Sequence, residues 1–103
     1  MTIADTPAMG TVTLIHEAGL HARPSVKLTK EAKGFAAAIE IAASLEGPWI
    51  DAKSIVKVMA MKVKQHATLH VRARGADAEA ALAALVALVE RDFDEGRAHE
   101  AAG

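Results

Sequence analysis

Between Thr68 and Arg74 the chain alternates without interruption, with Leu69, Val71 and Ala73 on one side and Thr68, His70, Arg72 and Arg74 on the other. Successive strand side chains point to opposite faces, so this segment predicts a strand with one dry and one wet face. A sheet built around it is covered on one side only, and antiparallel sheets are the kind that tolerate a solvated face. Weaker strand signals accompany it. From Gly10 onward Val12 and Leu14 alternate with Thr11 and Thr13, and Ile39 with Ile41 marks a second strand. Trp49 and Ile50 suggest a short third one after the turn Leu45-Glu-Gly-Pro48.

The other segments repeat at helical spacing. Ser25, Leu28, Thr29 and Ala32 form an i, i+3, i+4, i+7 stripe. Pro24 falls in a first turn, where a missing N–H costs little, and Gly34 ends the run. With His21 at or near the N-cap, this helix is predicted to reach about Lys33. Ser54 is predicted to cap a short helix from Ile55 to about Met61. Gly75 and Asp77 open a final helix, Asp77 as its cap, with a stripe of Leu82, Leu85, Val86 and Val89 and with Phe93 pinning its end. The expected order is β-α-β-β-α-β-α: an α+β open-faced sandwich, a four-stranded antiparallel sheet covered on one face by helices. Residues 1–9 read as a flexible leader, 10–95 as the folded domain and 96–103 as a flexible tail.

Composition narrows the function classes. A chain of 103 residues supports one core, and with 51% apolar but 3% aromatic residues that core is aliphatic. Net charge is −1, which leaves no overall field to attract nucleic acid or an anionic membrane. Nucleic-acid modules of α+β type also need stacking aromatics or a basic groove, and three aromatics in a near-neutral chain argue against both. There is no cysteine, hence no disulfide and no thiolate metal site. No pair among His16, His66, His70 and His99 combines metal-site spacing with a carboxylate third ligand, so no metal and no cofactor are expected. His16 lies near enough to His21 to influence it, but reads as a simple loop residue. With no signal peptide and no apolar run near the roughly 20 residues that span a bilayer, a cytoplasmic monomer without membrane contacts is expected.

Chemistry concentrates in Gly19-Leu-His-Ala-Arg-Pro24. A helix start presents N–H groups without intrahelical acceptors and a partial positive charge, and so receives phosphate well. An imidazole there is favoured in its neutral, nucleophilic form. Once phosphorylated, it would find donors in the amides of Ala22 and Arg23, and Arg23 adds a guanidinium. By residue type alone, His21 also fits a cap or turn histidine.

The same six residues resemble the phosphorylation-site signature of HPr, the histidine-containing phosphocarrier family of the bacterial phosphotransferase system. Lys30-Glu-Ala-Lys-Gly-Phe35 resembles the end of that family's first helix, Asp51-Ala-Lys-Ser-Ile-Val-Lys57 its second-helix segment, and Ala80 to Glu95 its last helix. The resemblance implies an HPr-like fold over about Gly10 to Glu95. It implies that His21 accepts a phosphoryl group through its δ nitrogen from phosphohistidine on enzyme I. His21 would then pass the group to a histidine of an enzyme IIA-type acceptor, with Arg23 as the phosphate-binding arginine. Such a chain is a substrate shared by two phosphotransferases rather than an enzyme. Ser54 stands where some family members are phosphorylated by a dedicated HPr serine kinase, although Ser is also simply a good N-cap. A phosphate on it would add negative charge to the docking face.

That face is expected around an apolar patch beside His21. Ile55 and part of Val56 or Met59 are predicted to stay exposed, with Val26 nearby and Arg23, Lys27, Lys30, Lys53 and Lys57 around them, suiting an acidic partner. Several positions depart from the typical sugar-type carrier. Ala18 replaces a polar loop residue, the turn Leu45 to Pro48 is longer, and Lys62 and His66 stand where glycines are common. The turn and Phe93-Asp-Glu95 resemble the nitrogen-related branch, and a carrier for a dihydroxyacetone kinase phosphotransfer subunit fits as well. A non-phosphorylated regulatory module using the same face is the rival reading.

Overall fold

The computed structural model describes residues 7–94, so most of the expected leader and all of the expected tail lie outside the described residues. The chain runs β1 (Ala8–Thr13), α1 (Ala22–Lys33), β2 (Ala38–Ala42), β3 (Ile50–Asp51), α2 (Ile55–Ala60), β4 (Thr68–Arg74) and α3 (Ala78–Glu90), closing with a 3-10 turn over Asp92–Asp94. β4 behaves as its alternation demands: Leu69, Val71 and Ala73 are buried, and Thr68 and Arg74 are exposed. It lies inside one antiparallel sheet of order β1-β4-β2-β3. The α+β order and one-sided cover expected from the sequence are what the structure shows.

Register builds the inner face in rows. Val12 lies opposite Leu69, Val71 sits between Gly10 and Ile41, and Ala73 between Ala8 and Ile39. β1 therefore starts at Ala8, two residues before the expected Gly10, and Ala8 and Met9 belong to the sheet rather than to a leader. Gly10 hid this because the inward position it occupies carries no side chain. The space is taken by Leu82 of α3, whose Cδ1 lies 3.4 Å from where a Cβ would be.

α3 packs over β1, β4 and β2, while α1 packs against α2 and α3. Leu28 and Ala32 of α1 meet Leu85, Leu88 and Val89 of α3 in one aliphatic core with Phe93. Each fully buried Leu or Phe contributes about 1.5–3 kcal/mol. On α3, Leu85 and Val89 are buried as expected, but Leu82 and Val86 stand at the rim and Ala78, Ala81 and Leu88 complete the buried face. The helix is apolar almost all round, so packing rather than pattern chose its inner side.

One helix end follows expectation and one departs from it. Gly34 ends α1 as expected, in right-handed conformation (φ −73°). Asp77 sits at the N-cap of α3 without capping it; its carboxylate accepts the N–H groups of Ala36 and Ala37 at 2.9 and 2.8 Å. Those bonds, that from Ala36 foremost, hold the carboxyl below its ordinary pKa, against partial desolvation and with help from Lys53. Asp77 thus ties the start of α3 to the loop between α1 and β2.

On the open face, Arg72 lies 4.1 Å above the Trp49 ring and 2.7 Å from Glu40. Within the described residues no helix is long and apolar enough to cross a membrane, and no group of three metal-ligating side chains gathers.

Candidate functional site

The segment leading into α1 is pinned through its backbone. The Leu20 N–H donates to Val63 O at 2.8 Å, the Leu20 carbonyl accepts from Ser25 Oγ at 3.1 Å, and the His21 carbonyl accepts from Ser25 N at 2.9 Å. Gly19 makes the first contact feasible. It takes a left-handed φ of 74°, and a Cβ there would collide with the Val63 carbonyl. Leu20 and Ser25 are buried. His21 lies between these anchors as the N-cap residue, in extended conformation, with its side chain exposed and making no cap hydrogen bond.

The first turn of α1 is therefore not capped by its own N-cap side chain. Its amides, including those of Ala22 and Arg23, lie where an α-helix offers no intrahelical acceptor. Arg23 is exposed in the same turn, and Pro24, with no N–H to satisfy, is buried beneath it. An exposed imidazole, a guanidinium two residues on and a helix start together form a receptive place for a phosphoryl group.

His16 is not the simple loop residue expected from the sequence. It is 9% exposed, its Nδ1 accepts the Ala18 N–H at 3.2 Å, and its ring meets that of His21 edge-on with centroids 5.5 Å apart. Phe93 also packs edge-on against the His16 ring, with centroids 6.1 Å apart. The terminal turn thus reaches the site, and Lys27 reinforces it by donating its Nζ to the Phe93 carbonyl at 2.9 Å.

The expected docking residues do not all share one condition. Val26 (52%), Val56 (74%) and Met59 (41%) are exposed, and so are Lys30 and Lys57. Ile55, expected to be exposed, is half-buried. The ammonium groups of Lys27 and Lys53, expected to ring the patch, are instead drawn to backbone carbonyls, Lys53 to that of Phe35 at 2.7 Å. α2 runs antiparallel to α1, since Val63 beyond its end meets Leu20 while Lys53 before its start meets Phe35. Ser54 therefore opens α2 at its end nearer Phe35, and the α2 end nearer His21 is the one after Met59. The Ser54 Oγ accepts the Lys57 N–H at 3.3 Å, a working N-cap. Lys62 and His66, in the loop beside the site, hold left-handed φ values of 53° and 74°, so the turns favoured by glycine form here without it.

Gly19, Ser25, Val63 and Phe93 also shape the site, and of these only Gly19 belongs to the motif that marks it in the sequence. Gly19 and Ser25 flank His21 closely enough to have been suspected, whereas Val63 and Phe93 enter only through long-range packing.

A family model described as the PTS HPr component phosphorylation site matches residues 9–91. The Phosphocarrier protein HPr of Cupriavidus necator is 39% identical over 82% of this chain and 92% of its own length. A Multiphosphoryl transfer protein of Vibrio cholerae is 43% identical over 76% of this chain, which spans only 20% of that longer protein. A crystal structure of HPr-C-His from Thermoanaerobacter tengcongensis superposes with a TM-score of 0.79 at 33% identity, covering 85% of this chain and 97% of that one. Similarity extends to a phosphocarrier named NPr and to the phosphoryl donor subunit of a dihydroxyacetone kinase. With the family match spanning the sheet, the helices and the His21 loop, the chain belongs to the HPr family of phosphotransferase-system phosphocarriers.

Proposed function

We propose that His21 is the phosphoacceptor and that the chain shuttles the group from phospho-enzyme I to an enzyme IIA-type histidine. The observation that carries this reading is the N-cap geometry: a solvent-facing imidazole on a backbone fixed at both sides, above an amide turn its own side chain leaves uncapped. His16, the other histidine at the site, is buried and uses its Nδ1 on the Ala18 amide. In the transfer, the neutral Nδ1 of His21 attacks phosphorus while the donor's N–P bond breaks, and the ring keeps its proton on Nε2. The acceptor's imidazole then repeats the displacement and returns His21 to its starting state. Arg23 and the first-turn amides bear the phosphoryl charge between partners. Stabilisation by a guanidinium and a few amides is moderate, which keeps the second transfer from running uphill.

The chain turns nothing over alone; it serves as a cytoplasmic substrate for two phosphotransferases. Val26, Val56 and Met59, with Lys30 and Lys57 beside them, suit brief contacts with an apolar, acid-rimmed partner surface. The sugar, nitrogen-related and dihydroxyacetone branches share this chemistry, and Ser54 is a candidate for modification by a serine kinase. Incubation with phosphoenolpyruvate and enzyme I, followed by intact-mass measurement, tests the reading. One acid-labile phosphoryl group is expected on the wild type and none on His21→Ala; undiminished labelling of His21→Ala would overturn it.

A further inference from the structure

We infer that His16 is a positioning residue for His21: its ring, held in place by Phe93, limits the rotation of the imidazole that reacts. The inference rests on the reading of His21 as phosphoacceptor. The backbone of His21 is fixed by three hydrogen bonds through Leu20 and Ser25, yet among the described residues its side chain has neither a hydrogen bond nor a second ring contact. An exposed imidazole with that freedom samples several rotamers. An in-line displacement needs one nitrogen aimed at phosphorus, so every unproductive orientation lowers the rate.

The His16 ring is the group placed to remove that freedom. It stands 5.5 Å from the His21 ring at an interplanar angle of 61°, an edge-on contact. It is itself restrained by two contacts. The Ala18 N–H donates to its Nδ1, and the fully buried Phe93 packs at 6.1 Å and 69°. Phe93 is held in turn, with its carbonyl accepting from Lys27 Nζ and its residue lying within a run of left-handed conformations at Asp92, Phe93 and Asp94. A contact chain therefore leads from the end of α3, through Phe93 and His16, to the reactive ring. The aromatic edge is the feature needed at position 16, and its Nδ1 serves the loop.

The test compares initial rates of phosphorylation by enzyme I and phosphoenolpyruvate for wild type, His16→Ala and His16→Phe, alongside the rotamer populations of His21 from side-chain scalar couplings. His16→Ala is expected to slow transfer about ten-fold while still reaching one phosphoryl group per chain. His16→Phe, which restores a ring edge, should recover a rate within about two-fold of wild type. The wild type should show one dominant His21 χ1 rotamer, and His16→Ala an averaged one. A wild-type rate in His16→Ala overturns the inference, as does equal slowing in both variants. The coupling measurement on unmodified wild type needs neither a folded variant nor a phosphoryl donor, and averaged couplings there also overturn it. Failure of the carrier reading shows separately, as absence of labelling on wild type or its persistence on His21→Ala.

Discussion

The starts of α1 and α2 carry His21, the proposed phosphoacceptor, and Ser54, the candidate modification site, and the two side chains are employed differently. His21 is exposed, makes no cap bond and leaves its helix turn to other partners. Ser54 is half-buried and spends its hydroxyl on the Lys57 amide, holding together a helix of six residues. At α1 the backbone is fixed by neighbours, Ser25 and Val63, so the N-cap side chain is released from structural work. At α2 the cap and the candidate modification site are one atom. A third start, that of α3, shows a further solution, in which Asp77 gives its carboxylate to another loop altogether.

Substitutions separate these roles. His21→Ala should abolish phosphorylation by enzyme I while leaving the thermal midpoint within a few degrees of wild type, since no cap bond is lost. A large loss of stability would mean that His21 caps its helix after all. Arg23→Ala should keep the fold and slow transfer about ten-fold, as removal of one charge-assisted donor does. Initial rates with enzyme I check this, and an unchanged rate would remove the guanidinium from the account. Ser54→Ala should invert the His21 pattern. Loss of the cap costs about 1 kcal/mol, lowering the midpoint by about 4–8 °C for a domain of this size. Phosphorylation of His21 should continue at the wild-type rate.

The smallest effect concerns acidity. Because the Asp77 carboxyl is held below its ordinary pKa when folded, its contribution is fully present above about pH 4. That contribution is lost as pH falls through the lowered folded value. Asp77→Asn should therefore be less stable than wild type at neutral pH, with the difference shrinking toward pH 3. Denaturant titrations at several pH values would show the convergence, and parallel curves would contradict it.

Much of this arrangement could be read along the chain. β4, the span of α1 and the short α2 follow from local periodicity and capping, and the place of His21 at a helix start follows from Pro24 and the stripe behind it. What escaped depends on contacts distant in sequence. Gly10 concealed the first residues of β1, which pairing with Ala73 and Arg72 carries back to Ala8. The inner face of α3 was chosen by packing, because its sequence is apolar on nearly every side. His16 shows no periodicity that would mark it as buried; Phe93, from the far end of the domain, closes over it. Lys53 looked like a docking charge because nothing local reveals that its ammonium reaches the Phe35 carbonyl.

Long-range proton–nitrogen correlation of histidine-labelled chain, taken before and after phosphorylation by enzyme I, addresses the central claim most directly, because it resolves all five histidines and both nitrogens of each ring. A phosphorus-coupled Nδ1 at His21, with the other four rings carrying no phosphoryl group, is the predicted spectrum. A phosphoryl group on His16 or any other side chain would contradict the assignment of the exposed, uncapped ring as the carrier.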